Sequence, residues 1–330
     1  MKEASKAARA GRDAGWAALQ DEQGSLQAFI EGDYLHAPDP VPTGVDGLDR
    51  VLCGGLRPGL SVLGGEPGAG KSALALQVAF MAAFSGRRVL FASLEMGRGQ
   101  CLMRLLSLLS TEPWADGPGA APFSWADAHR LAPRARQALE DARGCGEPEP
   151  AVIGRLARGG DPVLTAALGL QKTCPGLLVA AGPQVRTLGG LEALAGRAAG
   201  LGASLAVVDY LQLVSPEGAQ GMAEYERVTL VSSRLNALGC DLGVPVLALS
   251  AMSRQSAQAA GPSMHGFKGS GGIEYDANAA MVIEGDGEAA PGPLGRPVLL
   301  HVVKDRWGAL TGDSPVRLWF DGAHNRLEPR

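Results

Sequence analysis

Gly65, Glu66, Pro67, Gly68, Ala69, Gly70, Lys71 and Ser72 follow the spacing GxxxxGK[ST]. Glycines at such positions let the backbone curl until consecutive N–H groups point inward, where they can donate to phosphate oxygens. Lys71 would reach the β and γ phosphates, and the Ser72 hydroxyl would hold Mg²⁺. The flanks supply the context this needs: the apolar run LSVLGG predicts a strand before the turn, and SALALQVAFMAAF predicts a helix after it. A glycine-rich turn that merely ends in Lys-Ser is the alternative. The stretch predicts a nucleoside triphosphate as ligand.

A metal-bridged phosphate also needs carboxylates. Asp209 ends the apolar run SLAVVD, so it should stand at the carboxyl end of a central strand beside the loop and contact Mg²⁺ or its water. Its alternative role is a strand-end cap. Glu95 follows VLFASL and should occupy the carboxyl end of another strand, where it could orient and deprotonate water. The alternative is a surface glutamate opening the next helix. Two carboxylates from neighbouring strand ends over one phosphate loop make an ATPase constellation.

The elements that must position these groups alternate regularly. Strand-like runs at LSVLGG, RVLFASLEM, GLLVAAG, SLAVVDYLQLV and VPVLALS are separated by helical stretches, which predicts parallel βαβ units and an α/β, doubly wound sheet. AAMVIEG, PVLLHVVKD and VRLWFDG read as closing strands. Residues 1–35 predict a helical arm, and residues 36–44, with three prolines, an extended linker. Residues 45–330 then form the ATPase domain, interrupted by an insertion at about 111–175 in which only SWADAHRLAPRARQALEDARG suggests a helix.

The length and the 46% hydrophobic content allow a substantial core. A net charge of -4 gives no global basic field, so contact with nucleic acid would have to come from a local patch or an assembled channel. The five cysteines are scattered, without CxxC pairs, as expected of free thiols in a reducing cytoplasm. No apolar run is long enough to predict a membrane span, and a cytoplasmic protein is expected.

Six blocks carry a resemblance: TGVDGLDRVLCGGLRPG, LFASLEMGRGQCLMRLLS, LAVVDYLQLV, VPVLALSAMSRQS, GSGGIEYDANAAMVIE and HVVKDRWGALTGDSPVRLWFDG. In this order and spacing they resemble the C-terminal ATPase domain of DnaB-type replicative helicases, over roughly 43–110 and 177–330. The resemblance implies a RecA-like P-loop NTPase core. It implies ATP bound with Mg²⁺ at the interfaces of a homo-oligomeric ring, usually hexameric, that acts on single-stranded DNA alongside replication proteins. Glu95 matches the family's catalytic glutamate. Lys304 and Arg306 match a basic pair that one subunit inserts toward its neighbour's γ-phosphate, although taken alone they read as a solvated cationic turn.

For DNA the family uses loops facing the ring's hole. Residues 250–273 contain Arg254, His265, Lys268 and five glycines but no acidic residue. Candidate DNA contacts there are Arg254, Lys268, Ser270 and Gly271, with a plain surface loop as the alternative. The chain departs from the family at Ala251, where a glutamine thought to couple nucleotide to the DNA loops is usual, and at Lys268-Gly269, where Arg-Glu is usual. A short arm is expected in place of the family's separate N-terminal domain. Two other readings stay open: a RadA-like or KaiC-like ATPase, which would bring a zinc ribbon, protease-like tail or duplicated core, and an ATP-switched loader or regulator that does not unwind DNA.

Overall fold

The computed structural model describes residues 30, 35, 37–111, 122–145, 147–252, 263–267, 270–287, 289–292, 295–312 and 314–330. The chain divides into Met1–Asp39 and Pro40–Arg330. The helical arm expected over 1–35 lies almost wholly outside the described residues. All elements below belong to the second unit.

After a short helix α1 (Asp46–Val51), the chain enters β1 (Gly59–Gly65), α2 (Lys71–Phe84), β2 (Arg88–Ser93) and α3 (Arg98–Leu109). Three helices follow, α4 (Trp125–Gly144), α5 (Glu149–Arg158) and α6 (Pro162–Thr173), and then β3 (Leu177–Ala181), α7 (Pro183–Arg186), α8 (Leu188–Gly200), β4 (Ala203–Asp209), α9 (Glu224–Asp241) and β5 (Pro245–Ala251). The fold closes with α10 (Ser270–Asp276), β6 (Ala279–Gly285), β7 (Arg296–Asp305), β8 (Val316–Asp321) and β9 (Arg326–Pro329). One nine-stranded sheet runs in the order β3-β2-β4-β5-β1-β6-β7-β8-β9. Strands β3 through β6 in that order are parallel, and β7, β8 and β9 are added antiparallel.

The near-continuous apolar strands follow from burial on both faces. Side chains alternate between two cores. Val89 and Phe91 of β2, Leu205 and Val207 of β4, and Leu247 and Leu249 of β5 face one core with α2 and α3. Their neighbours Leu90, Ala92, Ala206, Val208, Val246 and Ala248 face the other, with α8 and α9. Helix α2 is buried almost all round, and its alanines Ala73, Ala75, Ala79, Ala82 and Ala83 let it lie close to the sheet.

Two stretches differ from the sequence expectation. The apolar run through Leu213 is not all strand: β4 stops at Asp209, and Leu211–Leu213 form a 3-10 turn. Leu211 and Val214 still reach the core, while the Gln212 amide donates to Ser250 Oγ at 2.8 Å and accepts from Ala251 N at 3.2 Å. A buried turn and a buried strand share one apolar signature. The segment after residue 121 contains three helices rather than one. Its prolines misdirect the reading because Pro150 and Pro162 sit in first helical turns, where a missing N–H costs nothing. Ser124 and Asp127 form a reciprocal cap, with Asp127 N donating to Ser124 Oγ at 3.1 Å and Ser124 N to Asp127 Oδ2 at 3.0 Å. Phe123, Ala128, Ala166 and Leu170 join the core beneath α3.

Candidate active site

The turn between β1 and α2 has the conformation its glycines predict. Gly68 and Gly70 have φ of +80° and +112°, values that side chains strain to adopt. Gly70 caps α2 without a side-chain hydrogen bond, so no side chain competes for the helix's first N–H groups. Lys71 bends back over the loop and donates to Gly65 O at 2.7 Å and Glu66 O at 2.9 Å. Burial holds its ammonium below the usual lysine range, although Asp209, Glu95 and Glu66 pull the other way.

The two carboxylates are stapled together by backbone. Ser93 and Asp209 are register partners on β2 and β4, and Leu94 N and Glu95 N both donate to Asp209 O, at 2.7 and 3.3 Å. Ser93 Oγ fixes the turn further, donating to Met96 O at 2.8 Å and accepting from Met96 N at 3.1 Å. Strand β5 lies between β4 and β1, so Asp209 reaches the loop across one intervening strand. Asp209 is 1% exposed and Glu95 is exposed. Desolvation raises the Asp209 carboxyl to about 6, against the lowering effects of the Ser72 hydroxyl that donates to it, of Lys71 and of Arg104. Its Oδ2 is buried without a hydrogen-bond partner. An ionised oxygen in that state is costly unless a cation meets it, and with the Ser72 hydroxyl it forms the oxygen donor set that suits Mg²⁺.

Around these groups lies a cleft of about 350 Å³ lined by the loop, Lys71, Ser72, Glu95, Arg104, Asp209, Tyr210, Ala251 and Phe320. Arg104 and Phe320 escape a motif reading. Arg104 does leave a trace, a lone cation in the apolar run CLMRLLSLL of α3. Its guanidinium donates to Asn325 Oδ1 at 3.2 Å and lies 5.9 Å from the Trp125 ring. Phe320 leaves none, since antiparallel pairing of β7 with β8 sets it opposite Arg296, whose guanidinium lies 5.0 Å from the ring and donates to Gly68 O.

Lys304 and Arg306 lie elsewhere. Lys304 pairs with Ala280 and Asp305 with Ala279, and these are level with Val62 and Ser61 of β1. Arg306 is therefore near the start of β1, whereas the phosphate loop leaves its end. Five residues of strand rise separate Leu60 from Gly65, about 16 Å. Lys304 Nζ donates to Glu274 O, and Arg306 donates to Tyr275 O at 2.6 Å and Asn278 Oδ1 at 2.9 Å. Burial and the neighbouring Arg306 lower the Lys304 ammonium. Arg254 and Lys268 lie outside the described residues. Ser270 opens α10. A Cβ on Gly271 would stand 3.0 Å from the Tyr225 hydroxyl, and one on Gly272 would stand 2.7 Å from Thr229 Cα, so these two glycines let α10 pack against α9.

The family model for the DnaB-like helicase C terminal domain matches residues 40–114 and 184–328, two thirds of the chain. The chain belongs to this family. Among DnaB-like relatives, the replicative DNA helicase DnaB of Geobacillus stearothermophilus is 30% identical over 271 residues, covering 79% of this chain and 51% of that protein. The DnaB of Leifsonia xyli subsp. xyli is 29% identical over 87% of this chain and 55% of its own length. The chain thus spans about half the length of these curated helicases. The DNA repair protein RadA of Mycobacterium tuberculosis is 53% identical, but over only 70 residues, 21% of this chain and 15% of RadA. The ATPase domain of G40P shares the fold, with a TM-score of 0.67 and 21% identity over 94% of this chain and 98% of that one. So does a DnaB-like replicative helicase solved with its primase interactions, with a TM-score of 0.66 and 20% identity over 93% and 66%. The residues outside the family match, 115–183, include the three helices α4 to α6.

Proposed function

We propose that this chain hydrolyses ATP and acts as a DnaB-like DNA helicase or translocase on single-stranded DNA, assembled in the cytoplasm as a ring, hexameric as in its family. Among the described residues no helix is long and apolar enough to cross a membrane. The observation that carries the reading is the separation of two half-sites. The cleft gathers Lys71, Ser72, Glu95 and Asp209, and the cations Lys304 and Arg306 lie at the other end of the same sheet. They cannot serve their own chain's nucleotide, but in a head-to-tail ring they would face a neighbour's.

In this reading Gly65, Glu66, Pro67, Gly68, Ala69 and Gly70 wrap the phosphates. Lys71 leaves the loop carbonyls for the β and γ phosphates, and Ser72 and Asp209 hold Mg²⁺. The metal, when bound, neutralises charge on the phosphate oxygens. Glu95, held by the Asp209 carbonyl, orients the attacking water and accepts its proton. Lys304 and Arg306 of the adjoining subunit stabilise charge on the transferred phosphoryl group, with the arginine offering a planar fork. Arg254, Lys268, Ser270 and Gly271 contact the DNA backbone. Replication proteins are the partner class.

Ala251 favours a second reading. It lines the cleft with a methyl group where the family usually carries a glutamine, so the amide that would link nucleotide to DNA loop is missing. An ATP-switched loader or regulator would keep the cleft and lose this coupling. Steady-state ATP hydrolysis with and without single-stranded DNA, at stated salt, separates the two. A translocase is stimulated by DNA, and Lys268→Ala then weakens binding and flattens its salt dependence by about one counterion. Hydrolysis indifferent to DNA, with no unwinding of a forked duplex, selects the loader.

A further inference from the structure

We propose that Asn278 is the positioning residue for Arg306, and that it ties the cations offered to a neighbouring subunit to the root of the chain's own phosphate-loop strand. The inference rests on the reading that Lys304 and Arg306 act across a subunit interface.

Asn278 lies between α10 and β6 and is 8% exposed. Its N–H donates to Leu60 O at 2.7 Å, its carbonyl accepts from Arg306 N at 2.9 Å, its Nδ2 donates to Pro58 O at 2.9 Å, and its Oδ1 accepts from Arg306 Nη1 at 2.9 Å. The orientation of the amide follows. Only the NH₂ end can face the Pro58 carbonyl, so the oxygen must face the guanidinium. The approach is close enough to dictate the next residue: at Gly59, with φ of +97°, a Cβ would stand 2.3 Å from Asn278 Nδ2. The same Cβ would stand 2.9 Å from Asn236 Oδ1, which accepts from Leu60 N at 3.0 Å.

Arg306 itself is exposed, with one nitrogen on Asn278 Oδ1 and another on Tyr275 O. A long exposed side chain left to itself samples many rotamers and loses that freedom on reaching a phosphate. Two acceptors on one short segment, Tyr275 O and Asn278 Oδ1, remove much of the loss beforehand. Lys304, bonded to Glu274 O, is held by the same stretch of chain. The Pro58 and Leu60 contacts then fix this segment to β1, whose other end opens into the phosphate loop. One strand therefore carries a nucleotide cradle at its end and the support for the next cradle's cation at its start.

The test is a cycle on ATP hydrolysis with Asn278→Ala, Arg306→Ala and the double variant, each checked for folding by thermal melt. Asn278→Ala should lower kcat about tenfold with KM for ATP unchanged, because the chain's own cleft is untouched. In the Arg306→Ala background it should change kcat by less than about twofold. If Asn278→Ala unfolds the chain, Asn278→Leu, which keeps the side chain's size but offers Arg306 no acceptor, replaces it in the cycle with the same expected outcome. Additive losses, or a rise in KM equal to the fall in kcat, would overturn the proposal.

A mixed-ring arm separates this from the interface reading itself. With Lys71→Ala chains supplying Arg306 and Arg306→Ala chains supplying the cleft, Asn278→Ala should lower recovered activity only when placed on the Lys71→Ala chain. An equal loss from either chain makes Asn278 merely structural and overturns the proposal. Failure of the mixture to recover any activity indicts the interface reading, while the cycle still decides for or against Asn278.

Discussion

The two rims of the parallel sheet are built differently. The carboxyl rim is concave: a positive-φ turn, a helix start without a side-chain cap, and a buried carboxylate oxygen with no partner surround a cleft. At the amino rim Lys304 and Arg306 rest on backbone carbonyls and on Asn278, with Arg306, Trp307 and Leu310 exposed around them. An unmet carboxylate oxygen beside the phosphate loop suits a cation that has still to arrive, whereas the bonds on Lys304 and Arg306 hold those cations in place. If, as proposed, one chain holds halves of two sites, each half can be broken separately.

The largest effect should follow from damage to the carboxyl rim. Lys71→Ala removes the charge that faces the β and γ phosphates, and turnover should fall to background while the melting profile stays that of a folded protein. Near-normal rates in that variant would remove the cleft from consideration. Glu95→Gln keeps shape and hydrogen bonding without the base. It should leave nucleotide affinity intact while kcat falls by about 10². Loss of affinity with the rate per bound ATP unchanged would make Glu95 structural.

A smaller effect sharpens the contrast between an unmet and a met charge. Asp209 titrates near 6 in the folded chain, against about 3.9 when unfolded. Its raised value means that the ionised form is disfavoured by folding. The cost, about 3 kcal/mol, is fully present above pH 6 and fades as pH falls through 6 toward 4. Without nucleotide or Mg²⁺, Asp209→Asn should therefore raise the melting temperature at pH 7.5 and gain less at pH 5. Nucleotide binding that depends on Mg²⁺ should weaken in the parent as pH drops below about 6. A variant that melts lower than the parent at pH 7.5 would mean that the carboxylate is already satisfied.

The carboxyl rim was legible in the sequence because its parts are local: a loop between one strand and one helix, and two acids each just past an apolar run. The amino rim was legible only through family resemblance. Its geometry depends on the antiparallel register of β6 with β7, which no short stretch encodes, and the same non-local pairing hid Phe320 and Arg296. Strand β9 was missed because four residues, Arg326–Pro329, are too few to show an alternation. Helices α5 and α6 were obscured by prolines that mark helix starts rather than loops. The close packing of α10 on α9 at Gly271 and Gly272 was not legible in the sequence, because it depends on Tyr225 and Thr229 of a separate element.

The claim that the two rims belong to different sites is tested most directly by mixing Lys71→Ala chains with Arg306→Ala chains under conditions where subunit exchange is demonstrated. Each variant alone should hydrolyse ATP at background rates. Rings containing both should recover activity at interfaces that join an intact cleft to an intact arginine. A mixture that exchanges subunits in the presence of ATP and Mg²⁺ yet never exceeds the sum of the two backgrounds would contradict the account.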